Sequence, residues 1–411
     1  MSKISLKHTS GKVVSLNSPT TEPGANDVAF KLPNADGSDG QALVTDGSGN
    51  LSFGNVAGGS AKNLIINGAM QVAQRGTSSN SSGYQTVDRI IHTGTGWDEA
   101  MTQSQSDVAS GTTPYTLGFR KAFKVQNGNQ TSGAGAADEL GVRYSIEAQD
   151  VATSGWNYTS ASSFITLSFW VKSSVAQNFY GYLLSLDGTI QKYAFETGAL
   201  SADTWTKVTK TIPGNSNIQI DNNTDEGFRI EWRLFAGTDF TDSGVSLNTW
   251  AAFASGTRTP DSPTTWYTTN DATWEVTGVQ LEVGNSATDF EHRTFGQELA
   301  LCQRYYYQHL DGPYSYGVGG AYNSTRGYSA VHFPVTMRGV PTLVIDTSTN
   351  STYNVRFNNG SNSINGSSIS LANPGINGSV LHHENLSNAG GYPMWFRGNN
   401  NSARIAFNAE I

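Results

Sequence analysis

Apolar and polar residues alternate with a period of two along several stretches of the chain. Val142-Arg-Tyr-Ser-Ile-Glu147, Phe164-Ile-Thr-Leu-Ser-Phe-Trp-Val-Lys172 and Phe228-Arg-Ile-Glu-Trp-Arg-Leu234 each present one apolar and one polar face, the pattern of a half-buried antiparallel strand. Tyr180 to Leu186, Trp205 to Ile212 and Trp274 to Val283 add further strands, and the phase of the last slips at Gly278 as a β-bulge would make it slip. In this reading Trp232 is in phase with Phe228, Ile230 and Leu234 and belongs to a core. So many strands between residues 63 and 293 fit a two-sheet jelly roll.

Helical spacing replaces alternation in one place. Thr294 and Gln297 stand in a capping-box relation, and Leu299, Cys302 and Tyr306 repeat at helical spacing, widened by Leu301 and Tyr305. Asp311-Gly312-Pro313 then breaks the pattern, which predicts a connecting helix over 294–310. Beyond it, residues 311–411 return to strands at Tyr328 to Pro334, Pro341 to Asp346, Thr352 to Phe357 and Ala403 to Asn408. Asn359-Gly360, Asn365-Gly366 and Asn377-Gly378 supply hairpin-turn dipeptides. This predicts a small C-terminal β-domain.

Residues 1–62 carry only short apolar islands, Val13-Val14, Val28-Ala-Phe30 and Ala42-Leu-Val44, between prolines and Asp-Gly pairs. Such an arm cannot bury a core of its own and is expected to gain order only by strand addition to a neighbouring chain or by docking. Gly54 to Ala61 reads as a flexible joint. The fold class expected is therefore all-β: an extended N-terminal arm, an antiparallel jelly-roll sandwich, one connecting helix and a C-terminal β-domain.

Composition narrows the function classes. Of 411 residues, 14% are charged and the formal net charge is −8, which disfavours a nucleic-acid partner because no concentrated basic patch stands out. No run of apolar residues reaches the length of a membrane span, and the opening residues are too short and polar for a secretory signal, so synthesis in the cytoplasm without membrane insertion is expected. The single cysteine, Cys302, excludes an intrachain disulfide and reads as a small buried hydrophobe. A nucleophile elbow, a phosphate-binding Gly-Lys-Ser/Thr loop and a zinc helix are all missing. His382 and His383 are neighbours on a strand and point to opposite faces, so they do not make a metal pair. No cofactor is expected. A structural calcium held by loop carboxylates and carbonyls suits a jelly roll, although no EF-hand ligand set is present.

Two groups of aromatic and charged residues could bind sugars, by stacking a flat ring on pyranose C–H faces and spanning hydroxyls with planar polar groups. In the middle region Trp170 lies on the polar side of its strand, with Arg143, Glu231 and Arg233 on the polar sides of others, as an open platform. In the terminal region Tyr316, Tyr328, Tyr392, Trp395 and Arg397 lie in Gly-rich sequence.

Three segments resemble parts of bacteriophage tail-fibre and receptor-binding proteins. Thr277 to Gly284, followed by Phe290-Glu-His-Arg293 and Gln297-Glu-Leu-Ala-Leu-Cys-Gln-Arg-Tyr-Tyr306, is similar to a recurring fibre segment. Asn63-Leu-Ile-Ile-Asn-Gly-Ala-Met-Gln-Val-Ala-Gln-Arg-Gly76 with Asp88-Arg89 resembles the opening of the same β-rich module. Leu32 to Phe53 is similar to virion-attachment segments, especially in phages of marine bacteria. Leu167-Ser-Phe-Trp-Val-Lys-Ser173 and Asp203-Thr-Trp-Thr-Lys-Val208 resemble phrases of carbohydrate-binding modules. The resemblance implies a homotrimeric virion fibre, joined to a tail or adaptor protein through residues 1–62, that meets a host cell-surface glycan or receptor. A polysaccharide depolymerase with an acidic pair, and a purely structural fibre, are the alternatives left open.

Overall fold

The computed structural model describes residues 3–7, 13–17, 31–34, 36, 41–45, 50–55, 63–313, 316–345, 352–357, 360–364, 366–387, 390–401 and 403–411. The chain divides into two compact units, Met1–Ser60 and Ala61–Ile411. In the first, Lys3–Lys7 pairs with Val13–Asn17 and Gln41–Thr45 with Leu51–Asn55, both antiparallel. Two of the apolar islands thus form hairpins within their own chain, so strand addition to a neighbour is not the only way this segment is ordered. The third, residues 28–30, lies outside the described residues.

The second unit begins with a sandwich of two six-stranded antiparallel sheets. Sheet one runs Thr206–Pro213, Phe164–Ser173, Thr273–Val283, Lys121–Gln126, Thr102–Asp107, Ser78–Ser79. Sheet two runs Trp250–Ala252, Gln191–Glu196, Tyr180–Ser185, Glu226–Ala236, Glu139–Glu147, Ile90–Thr95. The alternation in the sequence does its work here: Ile165, Leu167, Phe169 and Val171 of sheet one meet Phe228, Ile230, Trp232 and Leu234 of sheet two, all buried. Phe169 meets Trp232 edge-on at 5.5 Å between centroids. The expected bulge is present at Gly278, where φ is +62° and the register between Phe164–Ser173 and Thr273–Val283 shifts. A Cβ there would stand 2.7 Å from Cζ of Phe119, so both the backbone and the packing require glycine.

The connecting helix spans Phe295–Gln303, opened by the full Thr294/Gln297 capping box. It is shorter than the sequence pattern suggests. Tyr306–Asp311, which continues the helical spacing, is instead a strand paired with Arg404–Asn408, because tertiary pairing of those residues overrides a weak local preference. With Thr342–Ile345 these strands form a three-stranded sheet. It packs on a seven-stranded sheet in the order Gly360–Ile364, Tyr353–Phe357, Pro393–Gly398, Tyr316–Ala321, Gly327–His332, Gly378–His383, Ile369–Ala372. Leu310, Ile405 and Phe407 from the smaller sheet share a core with Val355, Leu381 and Phe396 from the larger.

A buried polar junction joins sandwich, helix and terminal sheets. Arg89 donates to Glu410 and, at 2.6 Å, to the Ser145 carbonyl, while its guanidinium lies 3.5 Å from the Tyr305 ring centroid. Arg75 reaches Glu410 at 3.1 Å and Asp88 at 3.4 Å. Asn67 N–H donates to Glu298 at 2.6 Å, Arg293 donates to the carbonyls of Asn63 and Ile65, and Asn63 N–H donates to Glu291. The segments around Asn63, Asp88-Arg89 and Phe290–Arg293, far apart in sequence, meet at this one place. Burial alone would lower the Arg89 pKa, and the Glu410 carboxylate with the surrounding phenols instead holds it well above the usual value. Arg304 and the Tyr305 hydroxyl donate to Glu147, which keeps that carboxyl below its usual value despite burial.

Candidate functional site

The two groups of candidate residues fare differently. Trp170 lies on sheet one, whereas Arg143, Glu231 and Arg233 lie on sheet two, each on the face turned away from the core. The sandwich therefore separates them, because the Trp170 strand pairs with Thr206–Pro213 and Thr273–Val283 while the strand of Glu231 and Arg233 pairs with Glu139–Glu147 and Tyr180–Ser185. Neither face is an open platform. Glu231 accepts from Arg143 at 3.0 Å and from Tyr182 at 2.6 Å and is ion-paired with Arg233 at 2.7 Å, and both Glu231 and Arg233 are buried. Burial opposes ionisation of Glu231, and Arg233 and Arg143 hold its carboxyl below the usual range. The segment 237–260 lies over this face: Lys192 donates to the Thr257 carbonyl, Arg258 reaches Glu139, and the Phe253 ring lies 6.5 Å from that of Tyr182. These charges are occupied in holding the sheet together.

Trp170 is half-buried and packs with Phe119 and Phe290 at a cavity of about 380 Å³. His292 also lines it, and its Nε2–H donates to the Leu117 carbonyl at 2.8 Å. The sequence alternation placed Trp170 on the polar side of its strand correctly, but could not tell that residues 115–119 and 290–292 lie over it.

The terminal group comes closer together. In Pro393–Gly398, Met394 and Phe396 are buried, so Pro393, Trp395 and Arg397 face away from the core. In Tyr353–Phe357, Tyr353 and Val355 are buried, which sends Arg356 outward. The register sets Arg356 opposite Trp395 and Asn354 opposite Arg397. Tyr392 is fixed just ahead of the strand, where its carbonyl accepts from Ala321 N–H at 2.9 Å after Gly391 turns at φ +79°. Arg356, Phe357, Tyr392, Pro393 and Trp395 line a cavity of about 520 Å³, within the ~300–1,000 Å³ range of small-ligand pockets. The Trp395 indole is 62% exposed, a large apolar surface left in water.

Tyr328 and Arg397 lie outside this pocket's lining. Tyr316 pairs through its backbone with Arg397 on the neighbouring strand. Tyr328 is three strands from the Arg356 strand, edge-on to His382 at 4.4 Å and to the exposed Tyr322 at 5.4 Å. Arg397 is half-buried on the same strand as Trp395, two residues beyond it. Arg356, Phe357 and Pro393 were not singled out by sequence reasoning. The alternation of Tyr353-Asn-Val-Arg-Phe357 puts Arg356 outward, but only the register puts it beside Trp395. His383 is buried and within 2.7 Å of the Ser329 hydroxyl, while His382 faces Tyr328, so the two imidazoles do point to opposite faces. Among the described residues no three His, Cys, Asp or Glu side chains gather as a metal site, and no helix is long and apolar enough to cross a membrane.

No protein-family model matches the chain, and no curated protein sequence matches it. Among solved structures it is similar to the enzymatically active domain of bacteriophage CBA120 tailspike protein 4. The identity is 11% and the TM-score 0.29, over 54% of this chain and 22% of that one. It is also similar to the N-terminal cellulose-binding domain of Cellulomonas fimi β-1,4-glucanase C, with 10% identity and a TM-score of 0.26 over 52% of this chain and 97% of that one. A family 11 carbohydrate-binding module from Clostridium thermocellum gives 12% identity and a TM-score of 0.23, over 53% and 98% of the two chains. The description of the fold as an all-β, antiparallel sandwich protein rests on this chain's own strand pairing.

Proposed function

We propose that this chain is an adhesive virion fibre protein, a phage tail fibre that attaches to the host cell surface by binding glycans at the terminal sheet. The observation that carries the reading is the pocket at Trp395, where an exposed indole stands beside Tyr392, Pro393, Phe357 and a guanidinium. A rigid aromatic face with a planar polar group at its edge is the combination that holds a sugar ring. The likeness of the Asn63–Gly76 and Thr277–Tyr306 segments to tail-fibre sequences supports the setting, with residues 1–62 as the arm that meets a tail or adaptor protein. Homotrimeric assembly belongs to the same reading: three weak sites gain avidity of roughly 10²–10⁴-fold without new contacts. The test is binding of the full chain to host cells and to immobilised host polysaccharide, with Trp395→Ala as the probe. Release of oligosaccharide from that polysaccharide would instead favour the depolymerase reading.

A second reading rests on the same face. Val318 pairs with Trp395 in register and is 68% exposed. Ala330, on the next strand, is exposed and pairs with Val380, which pairs with Ala372. This apolar row is suited to contact another copy of the chain, giving a structural fibre. Sedimentation of Val318→Glu separates the two: if the wild type is a trimer and the variant a monomer, Trp395 lies inside a subunit contact and is no receptor platform.

A further inference from the structure

Among the described residues, the cavity at Trp395 has one formal charge on its wall. Phe357, Tyr392, Pro393 and Trp395 are uncharged, and Arg356 stands directly across the strand pair from the indole. The Arg356 Nε donates to Asn354 Oδ1 at 3.2 Å, which ties the root of the guanidinium to its own strand. Among the described residues Arg356 makes no ion pair, and its side chain is exposed. Carboxylates elsewhere in this region are already engaged: Glu384 with Arg326, Asp311 with Arg404, and Glu410 with Arg75 and Arg89. Asp346 lies outside the described residues.

A guanidinium offers a planar fork of N–H donors that fits a carboxylate through two parallel hydrogen bonds, and an indole offers a flat face to the C–H side of a sugar ring. A neutral sugar would use the indole and offer the fork only uncharged hydroxyls, without the charge assistance a carboxylate brings. We infer that the pocket takes a carboxylate-bearing sugar, a uronic or nonulosonic acid residue, with its ring on Trp395 and its carboxylate on Arg356. This rests on the glycan-binding reading of the same pocket and names the class of glycan.

The experiment uses the full chain and matched pairs of sugars followed by saturation-transfer NMR and calorimetry. The pairs are methyl glucuronide with methyl glucoside, methyl galacturonide with methyl galactoside, and methyl N-acetylneuraminide with its carboxyl-reduced form. At least one acid is expected to bind about tenfold tighter than its neutral partner, the worth of a charge-assisted hydrogen-bond pair. Which pair shows the preference tells uronic from nonulosonic acids. The preference should shrink with added salt, vanish in Arg356→Gln, and return only in part in Arg356→Lys, which lacks the fork. Equal binding of acids and neutral partners, both lost in Trp395→Ala, overturns the inference and leaves the glycan platform standing. A preference that survives Arg356→Gln also overturns it. If no sugar of either class binds, the platform reading fails and this inference fails with it.

Discussion

Glu410 offers the sharpest test of how the sandwich and the terminal sheets are held as one unit. Its two oxygens serve two arginines, Arg75 and Arg89, and the side chains of Arg75, Asp88, Arg89 and Glu410 are 7%, 1%, 1% and 4% exposed. Two positive and two negative groups thus balance inside the protein. Glu410→Gln keeps the shape and removes one negative charge, leaving Arg89 buried against Tyr305 and Tyr144 with only a neutral partner and the Ser145 carbonyl. Breaking a buried pair from one side costs about 3–5 kcal/mol, and the lower end applies here because Asp88 still faces Arg75. The exposed pair Arg326–Glu384 is the control, and Glu384→Gln should cost less than about 1 kcal/mol. Urea unfolding followed by tryptophan fluorescence measures both. The double variant Glu410→Leu with Arg89→Met should recover much of the loss, since an apolar pair of similar volume removes the desolvation cost of both charges. A Glu410→Gln protein within about 0.5 kcal/mol of wild type, the range of an ordinary surface change, would refute the reasoning.

Acid should weaken the fold through buried neutral imidazoles. Burial lowers the His92 pKa from 6.5 to about 4 and that of His383 to about 3, so the unfolded chain takes up these protons first. Stability from each is complete above the unfolded pKa and is lost as pH falls below it, about 2 kcal/mol per group by pH 5. Asp88, pushed by burial up to about 6, acts in the opposite sense. The observable is therefore the difference between wild type and His92→Phe in urea midpoint at pH 7 and pH 5. The variant should lose less, and equal losses would remove His92 from the account. Gly278→Ala should cost about 1–3 kcal/mol, from positive φ and the close Phe119 ring, read as a fall in unfolding midpoint; an unchanged midpoint would mean the bulge relaxes freely. Cys302 is fully buried and its thiol is pushed well above its usual pKa by burial, so an aromatic disulfide reagent should label it only on unfolding. Rapid labelling of the native protein would contradict that packing.

Much of the fold was legible because strand alternation is a local signal. Phe164–Lys172, Phe228–Leu234 and Val142–Glu147 showed their buried faces in sequence, Gly278 showed its bulge, and Thr294 with Gln297 showed where the helix starts. What could not be read was pairing across distance. Nothing local assigns Trp170 and Glu231 to different sheets, and nothing in Asn354-Val-Arg356 announces that Trp395 stands beside it. The Tyr305–Leu310 stretch misled because its apolar spacing suits a helix as well as a strand, and only the partner strand Arg404–Asn408 decides. Polar alternation also overstated exposure. Arg233 and Glu231 are charged yet buried, since ion pairing and the segment above them replace water.

The central claim is that adhesion runs through the Trp395 pocket and not through the sandwich. Binding of wild type, Trp395→Ala and Trp170→Ala to host cells and immobilised host polysaccharide tests it most directly, with circular dichroism confirming that each variant is folded. The account predicts that Trp395→Ala loses about tenfold or more of its binding, the scale of losing a central aromatic anchor, while Trp170→Ala binds as wild type. Undiminished binding by Trp395→Ala, or loss confined to Trp170→Ala, would contradict it.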